Sequence, residues 1–93
     1  AAWPHLAHAD RFVRFAARVA LERQLPENWA DRALGEKNPQ ASIEALIALA
    51  RVGRIHYQPR LIEALSRLDF AQQPPQRQLP LLRAWQLAFT RMG

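Results

Sequence analysis

The sequence predicts an all-α protein built as a short stack of helical hairpins. Three observations predict it. Apolar residues recur at three- and four-residue spacing in five successive segments, which is the period of a helix with one buried face. Most of the three glycines and seven prolines fall where those segments stop or start. No stretch alternates polar and apolar with period two, so no sheet is expected.

The first segment runs from about Asp10 to Gln24. On a wheel of 100° per residue, Phe12, Val13, Ala16, Ala17, Val19 and Ala20 form a wide apolar arc. Arg11, Arg14, Arg18, Glu22 and Phe15 take the other side. Asp10 brings negative charge to the helix start and stands four residues before Arg14, the favourable order for a helical ion pair. Pro26 suits the first turn of a short second helix that reaches about Gly35 and carries Trp29, Ala33 and Leu34 inward. Asn38-Pro39 opens a third helix, with Gly53 as its C-terminal cap. Ile43, Leu46, Ile47, Leu49 and four alanines leave only Gln40, Glu44 and Arg51 as a polar strip. A helix apolar around most of its circumference must be covered on several sides, so this one is expected at the centre.

Pro59 introduces the fourth helix, with Leu61, Ile62, Leu65 and Leu68 inside and Arg60, Glu63 and Arg67 outside. The polar, proline-containing stretch from Ala71 to Gln78 reads as a loop. A fifth helix then runs from Leu79 or Pro80 to Met92, with Leu81, Leu82, Trp85, Ala88 and Met92 buried. Trp29 and Trp85 are expected in the core, and Trp3 near the N-terminal end.

Composition narrows the functional classes. Ninety-three residues make one thin-cored domain, and a hydrophobic fraction of 49% suits a folded chain. The absence of cysteine excludes disulfides, thiol catalysis and cysteine-based metal sites. No apolar run approaches the roughly 18 residues of a membrane span, and no signal peptide is visible. The net charge is +5, and 12 of the 13 basic residues are arginine. GC-rich coding accounts for such a bias; the functional reading is phosphate or carboxylate recognition by the planar guanidinium. His5 and His8 stand three apart but lack a third ligand for a metal. No nucleophile–base pair or glycine-rich phosphate loop is readable, so no catalytic, cofactor or metal residues are assigned.

Self-similarity links the long helices. His8-Ala9-Asp10 aligns with Asn38-Pro39-Gln40, and Val13-Arg14 with Ile43-Glu44. Ala50-Arg51-Val52-Gly53 aligns with Thr90-Arg91-Met92-Gly93, in a register that differs by about the length of the Pro-rich stretch. The run Asp10-Arg11-Phe12-Val13-Arg14-Phe15-Ala16-Ala17-Arg18-Val19-Ala20-Leu21 resembles the second-helix signature of the HEAT repeat: a turn Asp, then Val-Arg, then small residues. The second long helix departs from it with Asn38 and Glu44, and the third matches only in its apolar positions, so no regular Asp–Arg ladder is implied.

The resemblance implies an α-solenoid of about two and a half HEAT-like hairpins across residues 1–93, as a fragment of a longer protein. A second resemblance joins Asp10 to Gly53 with HEAT segments of large exported bacterial proteins that also carry dehydrogenase-like propeller and c-type cytochrome domains. It implies an exported or periplasmic setting. The haem-attachment motif Cys-x-x-Cys-His is absent here, so redox chemistry would lie elsewhere in such a polypeptide.

In HEAT-like stacks the second helices line the concave face. That would set Arg14 and Arg18, then Gln40, Glu44 and Arg51, then Arg83, Gln86 and Thr90 side by side, as a binding surface or as a merely solvated one. The leading functional expectation is a non-catalytic protein-interaction or scaffold module, bound to another protein or to other domains of the same chain. The alternatives are a nucleic-acid-binding domain sharing its architecture with HEAT-like DNA glycosylases, and a HEAT-like cofactor lyase or chaperone. Phe12, Phe15, Val19 and Trp3 at one end, and Phe89 with Met92 at the other, are expected to form uncovered flanks that self-associate or meet neighbouring domains.

Overall fold

The computed structural model describes residues 3–90. Its regular elements are five α-helices, α1 (Arg11–Glu22), α2 (Ala30–Gly35), α3 (Pro39–Val52), α4 (Gln58–Ser66) and α5 (Pro75–Thr90). Short 3₁₀ turns precede each of them except α3, and no strand occurs among the described residues. Arg91 and Met92, which the sequence places in the last helix, lie outside the described residues.

Helix starts follow local chemistry. Asp10 holds extended backbone, and its side chain accepts from the Phe12 amide at 2.8 Å, satisfying one of the donors a helix start leaves free. Asn38 does the same for Ala41 at 3.1 Å, with Pro39 in the first turn. Gly53 ends α3 as expected, yet with φ −73° and ψ 160°, so its cap is extended rather than left-handed.

Helix α3 is the centre. Every residue from Ala41 to Ala50 is buried, because α1, α2, α4, α5 and the N-terminal turn Trp3–Ala7 all pack on it. Helices α1 and α5 flank it, α2 and α4 touch each other, and the whole spans 31 × 31 × 20 Å. Leu6, in the N-terminal turn, is fully buried against this group. Trp29 is buried and Trp85 half-buried, both packed into or against the core. Cross-links from side chain to backbone tie the layers together. Arg67 donates to the Leu34 carbonyl at 2.6 Å, and Gln58 to the Ala88 carbonyl at 2.9 Å.

Three expectations need correction. First, α5 begins at Pro75, so most of the stretch read as a loop is helical or in the 3₁₀ turn Phe70–Gln72. Pro75 opens the first turn, where its missing N–H costs nothing. The Gln78 side chain donates back to the carbonyls of Gln73 (3.1 Å) and Phe70 (3.3 Å), and Arg77 donates to the Gln73 side chain at 2.9 Å. Pro80 then falls inside the helix.

Second, α1 is turned by about a third of a turn from its apolar arc. Phe12, Ala16 and Ala20 face solvent, whereas Ala17 and Leu21 are buried and Arg14, Arg18 and Glu22 half-buried. Third, Leu82 is exposed, because α5 meets α3 through Leu81, Ala84 and Ala88.

Candidate functional site

With α1 turned in this way, a groove of about 720 Å³ lies between α1 and α5. One wall is α1, contributing Arg11, Phe12, Arg14, Phe15 and Arg18. The opposite wall is the start of α5, with Pro75, Gln76, Leu79, Pro80 and Arg83. Glu44 and Ile47 of α3 form the floor. The rim is apolar and open: Phe12 is 72% exposed, Phe15 55% and Leu79 75%.

Beneath the rim, charge is organised around two carboxylates. Glu44 lies 3.8 Å from Arg14 Nε and 3.9 Å from Arg18 Nη1, and it accepts from the Gln40 side chain at 3.4 Å. Glu22 lies 4.0 Å from Arg18 and 3.0 Å from Arg51. These are charge contacts more than aligned hydrogen bonds, since Nε of both Arg14 and Arg18 and Oε2 of Glu22 are buried without a hydrogen-bond partner. Burial pushes the Glu44 carboxyl above its ordinary pKa; Arg18, then Arg14, then the Gln40 hydrogen bond oppose that rise without cancelling it. Such a cluster adds little net stability but fixes which side chains face one another.

The Asp10–Arg14 ion pair expected along α1 does not form. Arg14 Nη1 instead donates to the carbonyls of His8 (2.7 Å) and Ala9 (3.0 Å), which holds its guanidinium beside Glu44. Arg11 and Arg83, on opposite walls, have no carboxylate within ion-pair distance among the described residues. Arg11 lies 5.5 Å from the centre of the Phe12 ring, and Arg18 lies 5.2 Å from that of Phe15, so guanidinium and aromatic groups alternate along the wall.

The eight candidate surface residues are thus distributed unevenly. Arg14, Arg18, Glu44 and Arg83 share the groove. Gln40 and Arg51 reach it through Glu44 and the Glu22–Arg18 pair. Gln86 and Thr90 lie farther along α5, outside the groove lining, with Thr90 Oγ1 donating to its own helix at Gln86 O at 2.7 Å. Phe12 and Phe15, expected in an uncovered flank at one end of the stack, are exposed and form a groove rim with Leu79, which the sequence pattern places at the start of the last helix and does not single out.

His8 serves a local turn. The His8 ring accepts from the Asp10 amide at 3.0 Å, and no group of three metal-ligating side chains occurs among the described residues. No described helix is long and apolar enough to cross a membrane. Comparison with protein families, curated proteins and solved structures gives no match.

Proposed function

We propose that this chain is a non-catalytic protein-interaction module, a segment of a HEAT-like helical stack that binds its partner through the α1–α5 groove. The observation that carries this reading is the open apolar rim of Phe12, Phe15 and Leu79, bordered by arginines, over a floor that joins Ile47 to the Glu44 ion cluster. Contiguous exposed apolar side chains bordered by charge mark interaction surfaces, since leaving them in water is unfavourable. The contact order supports a stack of hairpins: α3 lies between α1 and α5, while α2 packs on α3 and α4, and α4 on α5.

The arginines of the groove favour a second reading, single-stranded nucleic acid held by phosphate contacts with Phe12 and Phe15 as stacking platforms. Glu44 in the floor counts against it, as does an opposite wall that carries no aromatic side chain and a single arginine.

A photo-crosslinking benzoylphenylalanine at position 15, with a control at the exposed position 63 on α4, separates the two in the organism's own extract. Protein adducts specific to position 15 are expected. Nucleic-acid adducts there, or protein adducts equal at both positions, would overturn the interaction reading.

A further inference from the structure

We infer that the occupant of the groove is an amphipathic α-helix with an acidic flank, supplied by another protein. This inference rests on the interaction reading above and names the partner's chemistry. The groove is bounded by two helices and floored by a third, and it runs from Arg11 to Arg18 on one wall and from Pro75 to Arg83 on the other. At 1.5 Å per residue each wall is roughly 12 Å long, about two turns of a docked helix. The openness of the rim argues against a small molecule, which a binding pocket normally buries by about 70–90%. An amphipathic helix instead lays its apolar stripe along such a trough and leaves its other face in water.

Charge then selects the helix. The lining carries four arginines against the single carboxylate of Glu44. Among the described residues, Arg11 and Arg83 have no ion-pair partner and stand on opposite walls, where glutamates or aspartates flanking an apolar stripe would meet them. Among the described residues, a second copy of this chain offers no such helix. Helices α1 and α5 are net basic, and α2, α3 and α4 each balance one acid with one base.

The test uses two designed peptides about 18 residues long, long enough to form a helix. Both carry leucine at helical spacing; one has glutamate and its twin lysine at the flanking positions. Fluorescence anisotropy at low salt is expected to show the glutamate peptide binding at least about tenfold tighter than the twin. Added salt should weaken that binding, and the Ile47 methyl resonances should shift. Arg11→Glu with Arg83→Glu should reduce the affinity about tenfold or more, while Arg23→Glu with Arg60→Glu, away from the groove, should not. Thermal melts establish that each variant folds, and the twin-peptide comparison on the native sequence needs no variant.

Equal binding of the twins, no binding of the glutamate peptide, insensitivity to the groove reversals, or displacement by an oligothymidylate that binds more tightly would each overturn the inference. Protein adducts at position 15 without glutamate-peptide binding would leave the interaction reading standing and remove the acidic helix alone.

Discussion

Truncating Leu46 should unfold much of what α3 holds together. Its side chain is fully buried at the midpoint of the helix on which every other helix packs. Leu46→Ala removes three carbons from that contact, a transfer loss of about 2.4 kcal/mol at ~0.8 kcal/mol per buried methylene. The cavity left behind raises the cost toward about 5 kcal/mol where neighbours cannot close in. Here they are held by packing on several sides of α3, so the upper half of that range is expected. Domains of this size are stable by about 5–15 kcal/mol, which makes the loss a large fraction of the total. The midpoint temperature should fall by more than about 10 °C. Ile47→Ala, at the groove floor where water can enter the space it vacates, should cost less, nearer about 2 kcal/mol. Leu79→Ala, on the exposed rim, should stay within about 0.5 kcal/mol of the native chain. Urea unfolding followed by far-ultraviolet circular dichroism and by tryptophan fluorescence measures all three. A Leu46→Ala midpoint equal to that of Leu79→Ala would refute the placement of the core.

The Asn38 cap offers a smaller test: Asn38→Ala should cost about 1 kcal/mol in the same assay, and no loss would mean the Ala41 amide is served equally well by water. Glu44 predicts a pH dependence. Its folded pKa lies above the ordinary glutamate value, so the folded state keeps a proton that the unfolded chain has released, and stability falls as pH rises between those two values. Glu44→Gln should abolish that fall; unfolding free energies that run parallel from pH 4 to 8 in the two proteins would dispose of the argument. Phe12 and Phe89 are both exposed, and sedimentation at several concentrations should show weak self-association through these outer faces, lost in Phe12→Ser with Phe89→Ser. A native chain monomeric at every concentration would contradict it.

Much of the helical framework was legible because its determinants are local. Asp10, Asn38 and Pro39 announce helix starts through groups within four residues of themselves, and the nearly all-round apolar surface of α3 leaves it no place except the centre. The start of α5 was not legible. Three prolines within seven residues read as punctuation, yet Pro75 favours a helix start and Pro80 falls early enough to forfeit only the bond to Gln76. What compensates is the pair of side chains on Arg77 and Gln78 reaching back to Gln73 and Phe70, and nothing in the apolar spacing records such contacts.

The groove was legible in its charges but not in its shape, and one residue accounts for both. A helical wheel ranks the faces of α1 by apolarity and puts Phe12, Ala16 and Ala20 inside. It cannot know that α3 presents a carboxylate, Glu44, to whichever face of α1 arrives. Burying Glu44 alone would be costly, and bringing Arg14 and Arg18 against it reduces that cost at the expense of turning the phenylalanines outward. The helix settles where Ala17 and Leu21 still reach the core and the arginines reach Glu44. The exposed rim and the buried ion cluster are therefore two consequences of one acid on the central helix. Replacing Glu44 by leucine should remove the reason for the rotation: α1 should turn its apolar arc inward, Phe12 should lose exposure, and the groove should narrow. Solvent accessibility of the Phe12 ring, read by paramagnetic-relaxation NMR in the native and Glu44→Leu proteins, decides it. An unchanged Phe12 exposure in the folded variant would mean that the backbone of the N-terminal turn, rather than Glu44, sets the orientation of α1.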